Sequence, residues 1–509
     1  MAETKREIER KYDAGPGRTL PDLRGVAHVA DVADQGTADL DAVYYDTADQ
    51  RLAAAAITLR RRTGGLDEGW HLKLPVADGV RDEIHAPLSD TVPRALAGLV
   101  RSRVRDADLV PVVRLRSARG VRHLLDASGA LLAEVCVDDV RARRLNGGRG
   151  ETSWTEIEVE LGESGDPALL DKVEKKLRKA GVHRSASPSK LARALAETAA
   201  DGDPLAAPAA PDTGGDTAGH HVLAYLREQR TALVEWDPAV RRDVPDAVHQ
   251  MRVATRRMRS AFKTYGKILD RRITDPLGEE LKWLAAELGV DRDREVLTDR
   301  LTAALADVPR TLRLGPVRAR LRIWSVAGRA GSRRRTLAVL DGRRYLALLD
   351  AVDALLADPP LLKAAAAPAA EALPQAIRKD FDRLAARVDH ALALDPGAER
   401  DLALHEARKA AKRARYAGEA ARPAIGRPAK RFARRVKAVQ TVLGDHQDSV
   451  VAREALRNLA VQAHAAGESA FTWGLLYGRE EAAAAARERE LPQVWAKAAR
   501  PKLRAALDA

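Results

Sequence analysis

As far as residue 200, apolar and polar residues alternate in short runs: Lys5–Lys11, Ala42–Asp46, Ile57–Thr63, Trp70–Leu74, Val80–His85, Val112–Arg116, Val121–Asp126, Leu131–Val137 and Ser153–Leu161. A period of two is that of a strand with unlike faces, and pairs such as Gly64-Gly65 and Asn146-Gly147 supply turns between strands. The pattern predicts an antiparallel sheet of about eight strands or more, with helices near 89–100, 168–180 and 188–199. Residues 201–218 are rich in Pro, Gly, Ala and Asp and have no period, as a linker would. From 219 to 509 the pattern is long, helical and rich in Ala, Leu and Arg. The expected fold class is α+β: an N-terminal β-barrel with flanking helices over 1–200, then an all-α bundle.

The helical part repeats itself. His249, Arg252, Arg256, Arg257 and Arg259 are echoed by His405, Arg408, Lys412, Arg413 and Arg415, and a Leu-Gly pair follows about 39 residues after each His (Leu288-Gly289 and Leu443-Gly444). The offsets, 156 residues at the His and 155 at the Leu-Gly, are nearly constant over two elements. This predicts a duplicated bundle with halves of about 219–360 and 375–509.

Charge sharpens the division. Of the chain's 86 basic and 73 acidic residues, 32 of each lie in 1–200, four aspartates lie in 201–218, and 54 basic against 37 acidic remain beyond. The helical part therefore seeks anions, while the strands balance dense charge of both signs. The single cysteine, Cys136, excludes an internal disulfide and fits a reducing compartment. The charged start MAETKREIERK does not read as a signal peptide, and no apolar run approaches the roughly 18 residues of a membrane span. The cytoplasm is the expected location.

On the strands, Glu7, Glu9 and Lys11 share one face, as do Glu156, Glu158 and Glu160. Arg60 with Arg62, Arg81 with Glu83, Arg114 with Arg116, and Glu134 with Asp138 do the same, and Lys73 follows the alternation. Unpaired buried charge costs several kcal/mol per ion, so these faces are either wet or paired. Closing the sheet with the charges inside makes a charged tunnel. Carboxylates there suit Mg²⁺ or Mn²⁺, and Arg and Lys suit phosphate oxygens.

The ExExK of Glu7, Glu9 and Lys11, the later arginines, the EIEVE of 156–160, Tyr45-Asp46-Thr47, Trp70-His71-Leu72-Lys73 and the run Ser189–Leu195 together resemble the CYTH family of triphosphate tunnel metalloenzymes. The resemblance covers almost all of 1–200. It implies that Glu7, Glu9, Glu156, Glu158 and Glu160 ligate metal, with Glu83, Glu134 and Asp138 holding metal or organising the basic residues. Glu7, Glu9, Lys11 and Glu158 are the implied catalytic set. Lys11, Arg60, Arg62, Lys73, Arg81, Arg114, Arg116 and Lys190 would bind triphosphate. Ala118 stands where relatives carry a basic residue, and Arg119 and Arg122 are the nearby substitutes.

On α-helices, His249, Arg252, Arg256, Arg259 and Lys263 form one stripe. His405, Arg408, Lys412 and Arg415 form a second, and Lys430, Arg434 and Lys437 a third. Like charges at this spacing repel by a few tenths of a kcal/mol per pair, which an anionic partner offsets. HxxRxxxRRxR with a later LGxxxD resembles the CHAD domain, which implies inorganic polyphosphate binding by these residues with Arg257, Lys409 and Arg413. Asp293, Asp445 and Asp448 are expected to orient basic side chains. Aromatics make up 4% of the chain and are not interleaved with the stripes, so stacking on single-stranded nucleic acid is poorly served; nucleic acid is expected to bind only through its phosphates.

The expected function is metal-dependent hydrolysis of a tri- or polyphosphate, with polyphosphate captured by the helices and location at polyphosphate granules. A non-catalytic polyphosphate-binding protein is the alternative. Adenylate cyclase activity ranks lower, since no base-recognition pocket is legible.

Overall fold

A computed structural model describes residues 3–15, 20–146, 150–199 and 215–507. Gly147 of the expected Asn146-Gly147 turn and most of the expected linker lie outside these residues. The chain divides into two compact units, Met1–Ala209 and Ala210–Ala509.

In the first unit, strands β1 (Glu3–Ala14), β2 (Asp31–Asp46), β3 (Thr58–Thr63), β4 (Gly69–Ala77), β5 (Val80–Ala86), β6 (Val110–Leu125), β7 (Leu131–Arg144) and β8 (Glu151–Leu161) pair antiparallel in the order β5-β4-β3-β2-β6-β7-β8-β1. Pairing of β1 with β5 closes an eight-stranded barrel, and the two-residue β9 (His183–Arg184) adds to β1. The expected segments Val112–Arg116 and Val121–Asp126 are a single strand. Pairing with β2 on one side and β7 on the other carries extended backbone through the weakly patterned Ser117–Gly120.

The barrel wall keeps its apolar side outward. Helix α1 (Arg94–Val104) covers Leu59, Leu72 and Ile84, and helix α2 (Pro167–Lys179) covers Tyr12, Val135, Ile157 and Val159. Each such large side chain contributes about 1.5–3 kcal/mol when fully buried, so the wall is held by cores outside it and the lumen is free to be polar. One end is different. There Tyr44, Leu115, Ala142 and Trp154 pack on Leu191, Ala194 and Leu195 of helix α3 (Lys190–Glu197). The Ser189 hydroxyl caps α3 by accepting from Ala192 N at 3.1 Å, which places Lys190 in the first turn. Asp46 is buried and accepts from the N–H groups of Thr47, Leu52 and Ala53 at 2.7–2.8 Å, so Tyr45-Asp46-Thr47 organises the turn after β2.

The second unit contains α4 (Ala218–Arg241), α5 (Ala247–Thr264), α6 (Arg271–Glu287), α7 (Gly289–Ala306), α8 (Val317–Asp341), α9 (Arg343–Ala357), α10 (Ala369–Ala393), α11 (Ala398–Ala420), the short α12 (Arg422–Ile425), α13 (Arg427–Ala465), α14 (Phe471–Ala498) and α15 (Pro501–Ala505). The last residues of the expected linker belong here: Thr217 bridges Pro368 and caps α4 through a bond from His220 N at 3.3 Å. The duplication is visible in the packing order, α4–α5–α6 against α10–α11–α13. The first copy breaks at Leu288, between α6 and α7, whereas α13 runs unbroken through Leu443-Gly444. The copies share one core: Leu226, Met251, Phe262 and Leu281 join Phe381, Ala411, Phe432 and Val439. Among the described residues no helix is long and apolar enough to cross a membrane.

Candidate functional site

Asp138, Glu156 and Glu158 face the lumen from β7 and β8, with one carboxylate oxygen of each within 4.8 Å of the others. Asp138 lies directly opposite Glu156 in the register. Three buried carboxylates repel, and three cations hold them together. Lys190 Nζ sits 3.0, 2.7 and 2.8 Å from Asp138, Glu156 and Glu158. Arg119 grips Asp138 at 2.8 and 2.7 Å and reaches Glu158 at 2.9 Å. Lys11 pairs with Glu158 and, at 3.2 Å, with Glu9. Burial opposes ionisation of Asp138 and Glu158, but Lys190 and Arg119, joined at Glu158 by Lys11, outweigh it and hold both below the usual carboxylate range.

A second group comes from β1, β3, β4 and β5. Lys73 Nζ is 2.6 Å from Glu7 and 3.7 Å from Glu83. Arg60 is 3.7 Å from Glu83 and donates to the Tyr44 hydroxyl at 3.3 Å. His71 Nδ1 is 3.0 Å from Glu83, and Arg81 is 3.9 Å from Glu9. Burial pushes the Glu7 carboxyl up to about 7, with Glu83 adding repulsion that Lys73 only partly offsets. Glu9 and Glu83 are held low despite burial, Glu9 by Lys11 and Lys73, Glu83 by Lys73 and His71.

This donor set fits Mg²⁺ or Mn²⁺. All ligands on offer are hard carboxylate oxygens, and the raised Glu7 marks a place where the resident cations leave negative charge uncompensated. Glu7 and Glu9 on one side, and Asp138, Glu156 and Glu158 on the other, are the residues able to hold such an ion. Lys190 occupies the centre of the latter three, so an ion taken there displaces its ammonium.

Several expectations fall elsewhere. Arg114 and Arg116 do not line the tunnel: they lie on the outer face of β6, 44% and 66% exposed, paired with Asp41 at 2.5 and 3.3 Å. Their parity is opposite to that of Arg119, whose row faces inward with Ser117 and Leu115. Arg119 thus takes the lumen position that Ala118 left open, while Arg122 stays outside, 3.7 Å from Asp34. Glu134 and Glu160 stand apart from the three-carboxylate group, Glu134 beside His123 at 3.3 Å and Glu160 beside Lys5 at 2.5 Å. Arg62 is buried and tied to Asp67 in the loop between β3 and β4. Arg81 also donates to Pro188 O at 2.5 Å. His71 and Tyr44 were missed as lumen groups, although the alternation through His71-Leu72-Lys73 put His71 on the Lys73 face.

In the helical unit the first two stripes meet, because α5 and α11 pack side by side. Arg252 and Arg256 from one copy and Arg408 and Lys412 from the other, equivalent pairs, share one electrostatic neighbourhood. Burial together with Arg408 and Arg256 pushes the Lys412 ammonium down to about 7. Each copy steadies its arginine with the expected aspartate, Arg252 on Asp293 at 2.8 Å and Arg408 on Asp448 at 3.6 Å. The Leu-Gly glycine explains itself here. A Cβ on Gly289 would meet the Arg252 guanidinium at 2.6 Å, and one on Gly444 would lie 3.7 Å from that of Arg408.

Arg259 is half-buried and close to Glu279, and Lys263 lies near Arg259 and Arg413. His405 neighbours Gln447, and His249 is half-buried on the same α5 face. Three more of the expected residues make ion pairs. Arg257 pairs with Glu419 at 3.2 Å over the Tyr416 ring, Arg415 pairs with Glu419 at 2.9 Å, and Lys409 turns outward to Glu406 at 2.7 Å. Arg413 approaches Asp380 at 4.0 Å. Lys430, Arg434 and Lys437 are exposed along α13, at helical spacing from Gly444 and Asp448. Asp445 lies 3.3 Å from Arg487 rather than on the stripe arginines.

A closed antiparallel barrel with a charged lumen rich in carboxylates is the fold of the triphosphate tunnel metalloenzymes, a metal-dependent class, and the CYTH domain profile matches residues 5–195. The CHAD domain profile matches 224–457. The chain belongs to the family of proteins in which a CYTH domain is followed by a CHAD domain. It is 40% identical over 502 residues to Uncharacterized protein Rv2226 and to Uncharacterized protein MT2285 of Mycobacterium tuberculosis, covering 95% of this chain and 94% of each relative. Among solved structures it is similar to PptA from Streptomyces chartreusis (23% identity, TM-score 0.47, 55% of this chain and 99% of that one). It is also similar to the CHAD domain from the plant Ricinus communis (26% identity, TM-score 0.42, 58% and 92%).

Proposed function

We propose that the barrel hydrolyses a tri- or polyphosphate, inorganic or organic, with Mg²⁺ or Mn²⁺, and that the helical unit captures inorganic polyphosphate. The observation that carries the reading is a lumen with guanidinium and ammonium groups on several strands (Arg60, Arg62, Lys73, Arg119) beside six inward carboxylates (Glu7, Glu9, Glu83, Asp138, Glu156, Glu158). Binding an anion alone needs no such carboxylates.

The divalent ion supplies charge neutralisation on the non-bridging oxygens and on the leaving group. Arg60 and Lys73 orient the phosphate chain and exclude a random approach of water. Arg62 joins them once Asp67 yields its guanidinium. Lys11 and Arg119 set positive charge beside the oxygens that gain negative charge in the transition state. Glu7 holds or releases a proton at its carboxyl near neutral pH. In the helical unit, Arg252, Arg256, Arg408 and Lys412 offer a convergent quartet for successive phosphates, and the exposed Lys430, Arg434 and Lys437 extend it.

Phosphate release from tripolyphosphate, ATP, thiamine triphosphate and long-chain polyphosphate, each with Mg²⁺ and Mn²⁺, tests the enzyme. Glu7→Ala and Glu158→Gln are expected to abolish it. The absence of turnover on every substrate with either metal refutes hydrolysis. Arg256→Ala with Arg257→Ala is expected to weaken polyphosphate binding, and unchanged binding refutes the helical assignment. A second reading, binding without turnover, is favoured by one observation: Lys190 already stands as a cation among three of the carboxylates. Polyphosphate retention without hydrolysis is its signature.

A further inference from the structure

At the head of the α11 basic stripe, three helices bring Asp401 (α11), His446 (α13) and Glu488 (α14) together. Only 2% of the His446 side chain is exposed, and its Nε2 lies 3.3 Å from Asp401 Oδ1 and 3.3 Å from Glu488 Oε1. The three donor atoms fall within 4.8 Å of one another. The far oxygens of both carboxylates are already engaged: Arg453 takes Asp401 Oδ2 at 2.8 Å and Arg400 takes Glu488 Oε2 at 3.3 Å. The near oxygens are therefore aimed at the imidazole.

A neutral imidazole offers one proton at Nε2, which serves one acceptor well and two poorly. An imidazolium would serve both, but its second N–H, at Nδ1, is buried with no hydrogen-bond partner among the described residues. A cation between the three atoms would meet both near oxygens with a neutral ring: Nε2 gives its lone pair, and the unpartnered Nδ1–H then belongs to an uncharged imidazole, which is less costly to bury than an imidazolium. The two distances from Nε2 agree. Ligands about 2.0–2.1 Å from a tetrahedral Zn²⁺ lie about 3.3 Å apart. Arginines on the outer carboxylate oxygens are the kind of outer support that orients ligating carboxylates.

We propose that Asp401, His446 and Glu488 bind a first-row transition-metal dication of the Zn²⁺ class, with solvent completing the shell, and that this ion ties α11, α13 and α14 together. One imidazole with two carboxylates favours such an ion over Mg²⁺, which prefers oxygen alone. The sequence position equivalent to His446 in the first copy is Asp291, which has no imidazole. Asp401 lies four residues before His405, so the ion would sit at the head of the α11 basic stripe.

The test uses the full chain, stripped by chelator and titrated with Co²⁺ and Zn²⁺. One Co²⁺ per chain is expected to give visible d–d bands of a nitrogen-containing site, retained in the tunnel variant Glu158→Gln and lost in His446→Gln. Zn²⁺ affinity is expected to fall at least about tenfold in His446→Gln and in Glu488→Gln. Glu488→Gln keeps the shape of the site, so it decides the matter if His446→Gln does not fold. Zn²⁺ is also expected to raise the thermal midpoint of wild type and Glu158→Gln but not of the two site variants. Co²⁺ bands and Zn²⁺ affinity unchanged in folded site variants would overturn the proposal and leave the group an ion-pair lock only.

Discussion

Among the described residues, replacing Lys190 with Met removes the one cation that touches all three carboxylates of the β7–β8 group. Asp138 and Glu158 keep Arg119, and Glu158 keeps Lys11 as well, but of its partners among those residues Glu156 retains the Trp154 Nε1 donor at 2.7 Å. Breaking a buried pair by removing one partner costs about 3–5 kcal/mol. The expected loss is therefore about 3–5 kcal/mol. For a unit of this size that is a fall of roughly 6–20 °C in the barrel's thermal midpoint.

A divalent ion binding where the ammonium stood restores about 2.7 kcal/mol at a hundredfold excess over its dissociation constant. Calorimetry of the full chain in chelator, and then in Mg²⁺ or Mn²⁺, measures both effects. A variant within a degree or two of wild type in chelator refutes the electrostatic argument. An equal metal-induced rise in wild type and variant refutes the idea that Lys190 and metal compete for one place.

Glu7→Gln is expected to flatten the pH dependence of barrel stability. The raised Glu7 carboxyl binds a proton more tightly in the folded state, so its stabilisation is complete below the unfolded value and is lost as pH rises to about 7; in chelator at pH 8 the variant should exceed wild type by roughly 1–3 kcal/mol, less whatever Lys73 loses with its partner, as thermal melts across pH 5–8 will show. Lys412 has the opposite sense, since burial lowers a cation's pKa. It is largely neutral above pH 7, and polyphosphate binding at pH 8 should take up close to one proton per site, measured by titration calorimetry in buffers of different ionisation enthalpy and absent in Lys412→Ala. Gly289→Ala should leave folding within about 1 kcal/mol of wild type yet weaken polyphosphate binding several-fold by shifting Arg252, whereas Gly444→Ala, with 3.7 Å to spare, should not; equal effects of the two refute the guanidinium-seat explanation.

Much of this protein is legible in one dimension, because alternation and repeat spacing are local. Glu7, Glu9, Glu156 and Glu158 declare themselves by a period of two, and the 156-residue offset announces two equivalent basic helices. Parity on a strand, however, names two faces without saying which is inside. Arg114 and Arg116 alternate as well as Arg60 and Arg62 do, yet they stand outside with Asp41, because the inward row of β6 is the one holding Leu115 and Arg119.

What the sequence alone determined is the division into a charge-balanced β part and a basic α part, the carboxylate-bearing strand faces and the duplication. Tertiary structure decided which charges meet. Barrel closure brought Lys190 from α3 into the carboxylates of β7 and β8, and the packing of α5 on α11 joined Arg252 and Arg256 to Arg408 and Lys412. It also set His446 between two carboxylates from other helices. Residues far apart in the chain come within about 3 Å only when packing makes them neighbours, and at that distance in a poorly hydrated interior their charges dominate the local chemistry.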